Sequence, residues 1–212
     1  MTTETLQRIS DAVQRGDAKV GDRLTREALA GGTAPGIILT QGLLTAMATI
    51  GARFKAEEVF ISEVLMASMA MKAAMGVLRP LLSAGEVQTK GTFLLGTVKG
   101  DLHDMGKNLV AAMVEGAGFT VVDLGVNVPP ERFVQAIVEL RPRLVGLSAL
   151  LTTTMPWMKK TIEAIDRAGL RESVRVFVGG APVTQDFADR IGADFYAPDA
   201  ASAAELAVRA AR

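Results

Sequence analysis

The order of apolar and polar positions divides the chain into two parts with different periods. Before about residue 83, apolar residues recur every three or four positions, as in Leu6, Ile9 and Val13. This is the period of an amphipathic helix, and glycine, proline and charged residues interrupt it three times. The pattern predicts four helices, at 3–15, 18–31, 36–54 and 58–83. Because the connections between them are short, we expect an antiparallel four-helix bundle.

From residue 92 onward, short apolar runs alternate with helical patterns. Strands are predicted at 92–98, 119–124, 143–149, 174–179 and 193–196. Helices are predicted near 106–117, 130–140, 155–169, 184–191 and 201–211. This alternation is typical of an α/β domain with a parallel sheet, and five strands favour the flavodoxin-like (Rossmann-like) order 2-1-3-4-5. We therefore expect an all-α domain at 1–83, a polar linker at 84–91 and an α/β domain at 92–212.

Composition excludes several kinds of chemistry. The 23 basic and 23 acidic residues cancel, so nothing indicates a nucleic-acid partner. The sequence contains no cysteine and a single histidine, which excludes disulfides, thiolate zinc sites, iron–sulfur clusters and cages of several imidazoles. A metal bound to this chain must bring most of its ligands with it, as in a macrocyclic cofactor.

The sequence also carries predictions about location. The first residues lack the basic and apolar segments of a signal peptide, and we expect no apolar stretch that approaches the roughly 20 residues needed to cross a bilayer. On this basis the protein is predicted to be cytoplasmic and to have no membrane contact.

Three short motifs fall at the carboxyl ends of predicted strands. They are Asp101-x-His103-x-x-Gly106 after the first strand, Ser148-x-Leu150 at the end of the third and Gly179-Gly180 at the end of the fourth. Open α/β sheets bind their ligands at this edge. An imidazole there can ligate a metal through one nitrogen while a carboxylate holds the other. Taken singly, the motifs also fit a solvated loop histidine, an acid at a helix N-terminus and a glycine turn.

Together, the three motifs in this order and at these spacings resemble the cobalamin-binding module of corrinoid-dependent methyltransferases and mutases. Residues 42–65, from Gly42 through Phe54 and Val59 to Leu65, resemble the helical cap domain that precedes the module in methyl-carrying corrinoid proteins. The family usually has proline where this chain has Ser62, a departure that concerns only the start of the fourth helix. The resemblance covers the whole chain.

The resemblance implies roles for individual residues. His103 is expected to replace the dimethylbenzimidazole base as the lower ligand of cobalt, with Asp101 bonded to its other nitrogen and the Thr154 hydroxyl completing a proton relay. Ser148, Gly179 and Gly180 are expected to contact the displaced nucleotide tail. The full set of expected cofactor contacts is Asp101, His103, Asp104, Met105, Gly106, Ser148, Leu150, Thr152, Thr154, Gly179 and Gly180, with Phe60, Leu65 and Met69 from the cap.

Simpler explanations exist for several of these residues. The hydroxyls of Ser148 and Thr154 also suit backbone groups at strand ends, and residues 152–154 also suit a turn that caps the helix near Pro156. Phe60, Leu65 and Met69 fit an ordinary bundle core equally well.

The resemblance implies a methyl carrier and not a complete enzyme. A substrate-specific methyltransferase would load the cofactor, giving methylcobalamin, and a second methyltransferase would deliver the methyl group to tetrahydrofolate or a thiol. A reductive activase is the third implied partner. The cap would shield the methyl face and move on the 84–91 linker. Methanol, methylamines, betaines and methoxylated aromatics all remain open as donors.

Two alternatives remain open, and a third is poor. The small subunit of an adenosylcobalamin mutase would not need the helical cap, and a cobalamin-sensing regulator should carry a further output module. A response-regulator receiver shares the fold class but needs an aspartate where the third strand ends, and this chain has Ser148 there.

Overall fold

The computed structural model describes residues 2–82 and 89–211. The contacts between their Cα atoms separate the chain into two compact units. One contains the helices before residue 83, with Glu115–Gly118 assigned to it as well, and the other contains the sheet and the helices around it. Each unit is described by itself.

The first unit is a helical bundle. Its elements are α1 at Thr2–Gln14, α2 at Ala18–Ala30, a turn α3 at Pro35–Ile37, a π-helix at Ile38–Leu44, α4 at Thr45–Lys55, α5 at Ile61–Leu78 and a 3-10 turn at Arg79–Leu81. α1 packs against α2, α4 and α5, and α2 packs along α5. Side chains at helical spacing fill the core, namely Leu6, Ile9, Leu24, Ile38, Leu43, Ile50, Val64 and Leu78.

Two predicted helices differ from the structure in detail. The third, 36–54, is a continuous helix but widens to π geometry at Ile38–Leu44, where the Thr45 hydroxyl donates to the carbonyl of Thr40 at 3.1 Å. The fourth was predicted to begin at 58, which is wrong, because it begins at Ile61. Phe60 is extended, and its N–H donates to the Glu63 carboxylate at 2.8 Å. This cap fixes the start of α5 despite Ser62 in its first turn.

The expectation that no apolar stretch reaches membrane-spanning length is wrong. Two helical stretches of 21 residues, Pro35–Lys55 and Ile61–Leu81, are long and apolar enough by length and composition. Both supply buried core residues to the bundle, for example Ile50 and Leu78. Core helices of a bundle commonly pass the same test, because they are apolar around much of their circumference.

The second unit is a parallel five-stranded sheet flanked by helices. Its strands are β1 at Thr92–Thr97, β2 at Thr120–Asp123, β3 at Leu144–Ser148, β4 at Arg175–Gly179 and β5 at Phe195–Ala197. Its helices are α6 at Met105–Gly116, α7 at Pro130–Leu140, α8 at Pro156–Arg167, α9 at Gln185–Ile191 and α10 at Ala200–Ala210. The strand order β2-β1-β3-β4-β5 confirms the prediction.

The core of the sheet explains why the short apolar runs became strands. On one face, Leu94, Val145 and Val176 pack in a single buried cluster with Phe133 and Ile165 from the helices. Three aromatic rings also pack together. The centroids of Phe93 on β1 and Phe177 on β4 are 5.3 Å apart, across Gly146 of β3, and those of Phe177 and Phe195 on the neighbouring strand β5 are 4.6 Å apart. Strands buried in this way read as continuous apolar runs, as observed here.

Candidate functional site

The register of the sheet places the ends of three strands side by side. Thr97 at the end of β1 pairs with Ser148 at the end of β3, which in turn pairs with Gly179 at the end of β4. All three strands are parallel, so the loops that follow them start at the same edge of the sheet. We call this the carboxyl edge. Each of the three sequence motifs lies on it.

Asp101 is the best-anchored group at the carboxyl edge. It is fully buried and accepts five hydrogen bonds. Three come from backbone N–H groups, of His103 at 3.1 Å, Leu150 at 2.8 Å and Leu151 at 3.3 Å. The other two come from the Thr154 hydroxyl at 2.6 Å and from the His103 ring at 2.7 Å. The loops after β1 and β3 are thus joined through one carboxylate.

These contacts keep Asp101 ionised. Burial by itself favours the neutral acid and would raise the pKa of Asp101. The hydrogen bonds from Thr154, from the Leu150 amide and from His103 favour the anion, outweigh burial and hold the pKa of Asp101 well below its usual range. The site therefore contains a fixed negative charge directly beside the imidazole.

His103 presents one nitrogen outward. Its Nδ1 lies 2.7 Å from Oδ1 of Asp101, and the carboxylate can only accept, so Nδ1 carries the proton in this contact. The side chain is 51% exposed. Its backbone carbonyl accepts from the Thr97 hydroxyl at 2.9 Å, which fixes the base of the residue. The remaining nitrogen, Nε2, is left with its lone pair for a ligand.

Exposed apolar side chains lie in the two loops that meet at Asp101. Leu102 is 71% exposed and Met105 is 65% exposed, and Leu150 and Leu151 are also exposed. Single exposed apolar residues are ordinary, but four in the loops that hold one imidazole mark a ligand-binding face. Sequence reasoning included Met105 and Leu150 and missed Leu102 and Leu151. The available signal was that both leucines lie in otherwise polar loops next to motif residues.

Gly106 has space above it. A Cβ atom added to this exposed residue would meet nothing within 4 Å, and its backbone does not require glycine. The chain itself gives no reason for glycine here. A ligand that lies over the first turn of α6 would supply one.

Gly179 and Gly180 are constrained by the chain itself. A Cβ on Gly179 would lie 2.9 Å from the carbonyl oxygen of Ala197, and one on Gly180 would lie 1.9 Å from that of Ala149. Gly180 also has φ +133°, a region that other residues avoid. The need for glycine at this pair is thus explained by close approach of β4 to its neighbours, without reference to a ligand.

Three other residues predicted to contact the cofactor lie at the carboxyl edge, and none of them forms a hydrogen bond with Asp101 or His103. Ser148 is half-buried, and its carbonyl accepts from the Val98 N–H at 3.0 Å. Asp104 is exposed and accepts from the Asn108 side chain at 3.1 Å. Thr152 is exposed in the turn before α8.

The three residues predicted in the helical unit do not behave alike. Phe60 is 79% exposed and Met69 is 67% exposed, whereas Leu65 is half-buried. The bundle-core explanation therefore fails for Phe60 and Met69 and applies in part to Leu65. Exposure of a phenylalanine and a methionine leaves both available for a ligand.

Two polar features of the site were missed from the sequence. Lys107 is almost fully buried, pairs with the Asp123 carboxylate at the end of β2 and donates to Asn108 at 2.7 Å. Asn127, in the loop after β2, is bonded to the loop that carries Asp101. No pattern in a single sequence signals either contact, because each joins residues far apart along the chain.

The fold and this edge together have the features expected of a cobalamin-binding protein. Family models agree, since a B12 binding domain matches residues 91–207 and a second B12 binding domain model matches residues 5–79. The chain belongs to the family of corrinoid proteins built from these two domains.

Named relatives give the class more closely. The chain is 41% identical over 199 residues to the trimethylamine corrinoid protein of Methanosarcina barkeri, covering 93% of this chain and 92% of the relative. It is 44% identical over 170 residues to dimethylamine corrinoid protein 1 of Methanosarcina acetivorans, covering 80% of each. It is thus a corrinoid protein of the methyltransferase class, and neither the mutase nor the sensor alternative is favoured.

Solved structures support the same class. The methanol:cobalamin methyltransferase complex of Methanosarcina barkeri matches with a TM-score of 0.89 and 28% identity, over 98% of this chain and 80% of the matched chain. A cobalamin-binding protein of Desulfitobacterium hafniense matches with a TM-score of 0.79 and 32% identity, over 97% and 98%. Together with the two B12 binding domain models, these likenesses support cobalamin as the cofactor.

Proposed function

We propose that this chain binds cobalamin with His103 as the lower ligand of cobalt, in the base-off, His-on form, and carries a methyl group between two methyltransferases. One partner is specific for the methyl donor, and the other delivers to tetrahydrofolate or a thiol. Methylcobalamin is the loaded state. The observation that carries the proposal is the Asp101–His103 contact at 2.7 Å, made by an imidazole whose side chain is half exposed.

The residues present fit this cofactor. The chain has one imidazole and no thiolate to offer a metal, and among the described residues there is no group of three or more His, Asp or Glu side chains that could hold one. A corrin ring supplies its own equatorial nitrogens, so one protein ligand suffices. The ring is large and mostly apolar, which suits the exposed side chains of Leu102, Met105, Leu150 and Leu151. The space over Gly106 suits it as well.

Cobalamin supplies a cobalt centre that accepts a methyl group and gives it up again. The chain's part is to hold His103. The Asp101 anion keeps the proton on Nδ1 and so leaves the Nε2 lone pair directed outward, and it makes the imidazole a stronger donor. We propose that the His103–Asp101 pair takes up a proton when Nε2 is not bound to a metal. Thr154 keeps Asp101 in place in both conditions, and this is its role in the relay.

The remaining predicted contacts complete the proposal. Ser148, Gly179 and Gly180 contact the nucleotide tail, and Asp104, Gly106 and Thr152 contact other parts of the cofactor. Phe60, Leu65 and Met69 contact the corrin from the cap. The domains are proposed as 1–83 and 92–212, joined by the 84–91 linker, of which residues 84–88 lie outside the described residues.

The names of the relatives favour a methylated amine as the donor. Trimethylamine and dimethylamine corrinoid proteins are both similar to this chain over most of its length. A reductive activase is the third proposed partner, which would supply the electrons that return the bound cofactor to the state that accepts a methyl group. The proposed location of the protein is the cytoplasm.

Reconstitution tests the ligand. The purified protein is mixed with hydroxocobalamin, its visible spectrum is recorded, and the Co(II) spin resonance is measured after one-electron reduction. We expect superhyperfine splitting from one protein imidazole in the wild type and its loss in His103→Ala. A bound corrinoid with an unchanged signal in the variant would exclude His103 as the ligand. No retained corrinoid in the wild type would overturn the proposal as a whole.

Pairing with purified methyltransferases tests the donor. The reduced, reconstituted protein is mixed in turn with enzymes for trimethylamine, dimethylamine and methanol, each with its substrate. We expect the visible spectrum to change to that of the methylated cofactor with an amine enzyme and to stay constant with the methanol enzyme. The reverse result would assign methanol as the donor and leave the carrier role intact.

A further inference from the structure

Asn127 lies in the loop between β2 and α7, outside all three sequence motifs. It has φ +53°, and only two other described residues that are not glycine, Glu57 and Arg141, have a positive φ. Asparagine tolerates this left-handed conformation better than most residues, but it still has a cost. A loop that keeps such a residue is held there by its other contacts.

Those contacts reach the loop that carries the proposed cobalt ligand. The side-chain Oδ1 of Asn127 accepts from the N–H of Gly100 at 2.7 Å. The backbone N–H of Asn127 donates to the carbonyl of Asp101 at 2.9 Å. One residue of the β2–α7 loop therefore forms hydrogen bonds to two successive residues of the β1–α6 loop.

Gly100 is the point at which that loop needs restraint. Its φ of +81° is one that glycine adopts freely, so the residue by itself does little to fix the direction of the chain. The bond from Asn127 supplies the missing restraint immediately before Asp101. Asp101 in turn holds both the backbone N–H and the Nδ1 of His103.

We propose that Asn127 is a positioning residue for His103, acting through Gly100 and Asp101. The inference rests on the proposed function, because it concerns the same ligand. Thr97 fixes His103 from the carbonyl side and Thr154 fixes Asp101 from the loop after β3. Asn127 fixes the backbone of Gly100 and Asp101 from the loop after β2.

Two simpler roles make different predictions. Asn127 is exposed, so it could contact the cofactor directly, and then the imidazole of the cofactor-free protein would not depend on it. It could also serve only the local turn, which the bridge between Val98 and Val128 already supports, and then only stability would change. Both simpler roles can be distinguished from positioning by measuring how well the Nδ1–H of His103 is held in the cofactor-free protein.

The single histidine makes that state measurable. With ¹⁵N-labelled histidine, the cofactor-free protein gives one imidazole, whose Nδ1–H should be protected from exchange by Asp101. In Asn127→Gly the left-handed backbone remains accessible and only the acceptor for Gly100 is lost. We expect faster exchange of this proton, a mixture of His-on and His-off signals in the Co(II) spin resonance, and cobalamin retention weaker by about 2-fold to 10-fold, the usual effect of one hydrogen bond.

Controls complete the experiment. Asn127→Asp keeps an oxygen acceptor and should behave as the wild type, even if the glycine variant folds poorly. Arg141→Gly makes the same change at another exposed, left-handed residue of the α/β unit, at the end of α7. It should leave the exchange rate of the Nδ1 proton and the Co(II) spin resonance unchanged. The inference would be overturned if the Nδ1 proton of Asn127→Gly exchanged at the wild-type rate. It would also be overturned if Asn127→Asp lost the His-on signal in the Co(II) spin resonance. A wild type without imidazole splitting would overturn the proposed ligand instead, while the exchange result would still decide the role of Asn127.

Discussion

The hydroxyl of Thr154 lies 2.6 Å from Oδ2 of Asp101, although 53 residues separate the two along the chain. Both side chains are buried, and the carboxylate is ionised. A threonine in the turn before α8 thereby acts on the histidine in the turn before α6, through a carboxylate that both contact.

Replacing Thr154 tests this contact. Thr154→Val keeps the shape of the side chain and removes the donor, so Asp101 loses one of its five hydrogen bonds in a place that water does not reach. Hydrogen bonds to charged groups contribute about 1.5–3 kcal/mol, and we expect a loss of that order in the free energy of unfolding of the cofactor-free protein. Urea denaturation measures it.

Thr154→Ser serves as the control, because it keeps the hydroxyl. It should recover most of the lost stability and give the wild-type Co(II) spin resonance after reconstitution. If Thr154→Ser is strongly destabilised and Thr154→Val is not, the methyl packing of Thr154 matters and its hydroxyl does not.

Asp101 predicts how stability depends on pH. Its pKa is lower in the folded protein than the ordinary value of 3.8, so the unfolded chain binds the proton more tightly. The resulting stabilisation is fully present above about pH 4 and is lost as the pH falls toward the folded pKa. Asp101→Asn removes this contribution, so its unfolding free energy should fall less steeply than that of the wild type between about pH 4 and pH 2. Acid titrations of the two proteins, followed by circular dichroism, make the comparison, and equal slopes would contradict the prediction.

Much of this site was predictable because its parts follow strands. The periodic apolar runs fix where β1, β3 and β4 end, and parallel order brings those ends together. The positions of Asp101, His103 and Thr154 at one edge follow from this parallel order and from the spacing of the motifs, whereas their roles came from the resemblance to corrinoid proteins. The sheet order was predicted correctly for the same reason.

What the sequence did not predict are contacts between loops and details of helix ends. Lys107 reads as an ordinary surface lysine of a helix, yet it is buried against Asp123. Asn127 reads as a turn residue, and only the folded chain brings it to Gly100. The start of α5 at Ile61 has the Glu63 carboxylate as its cap, and the π-helix at Ile38–Leu44 lies within a helix whose apolar period gives no sign of it. Local propensity does not encode such choices.

The apolar face around His103 predicts an effect on binding without one on folding. Leu102→Ser removes an exposed side chain, so the free energy of unfolding should change by less than about 0.5 kcal/mol. Cobalamin retention should weaken, by about 10-fold if most of the side chain is covered by the corrin. The matched control is Leu140→Ser, an exposed leucine at the end of α7, which should change neither quantity. Equal retention by both variants would show that Leu102 faces solvent in the loaded protein as well.

Gly106 and Gly180 predict opposite results for the same substitution. Alanine at Gly180 would place its Cβ 1.9 Å from the carbonyl oxygen of Ala149 on a backbone with φ +133°. The strands must then shift, at a cost of at least about 2 kcal/mol in the free energy of unfolding.

Alanine at Gly106 meets nothing within 4 Å and lies in the first turn of α6, where it should stabilise the protein by up to about 1 kcal/mol. Gly106→Ala should nevertheless bind cobalamin more weakly, because its methyl group occupies the space that we assign to the cofactor. Urea denaturation of the cofactor-free variants and retention of hydroxocobalamin on a desalting column measure the two effects separately, and tight retention by a stabilised Gly106→Ala would place the cofactor elsewhere.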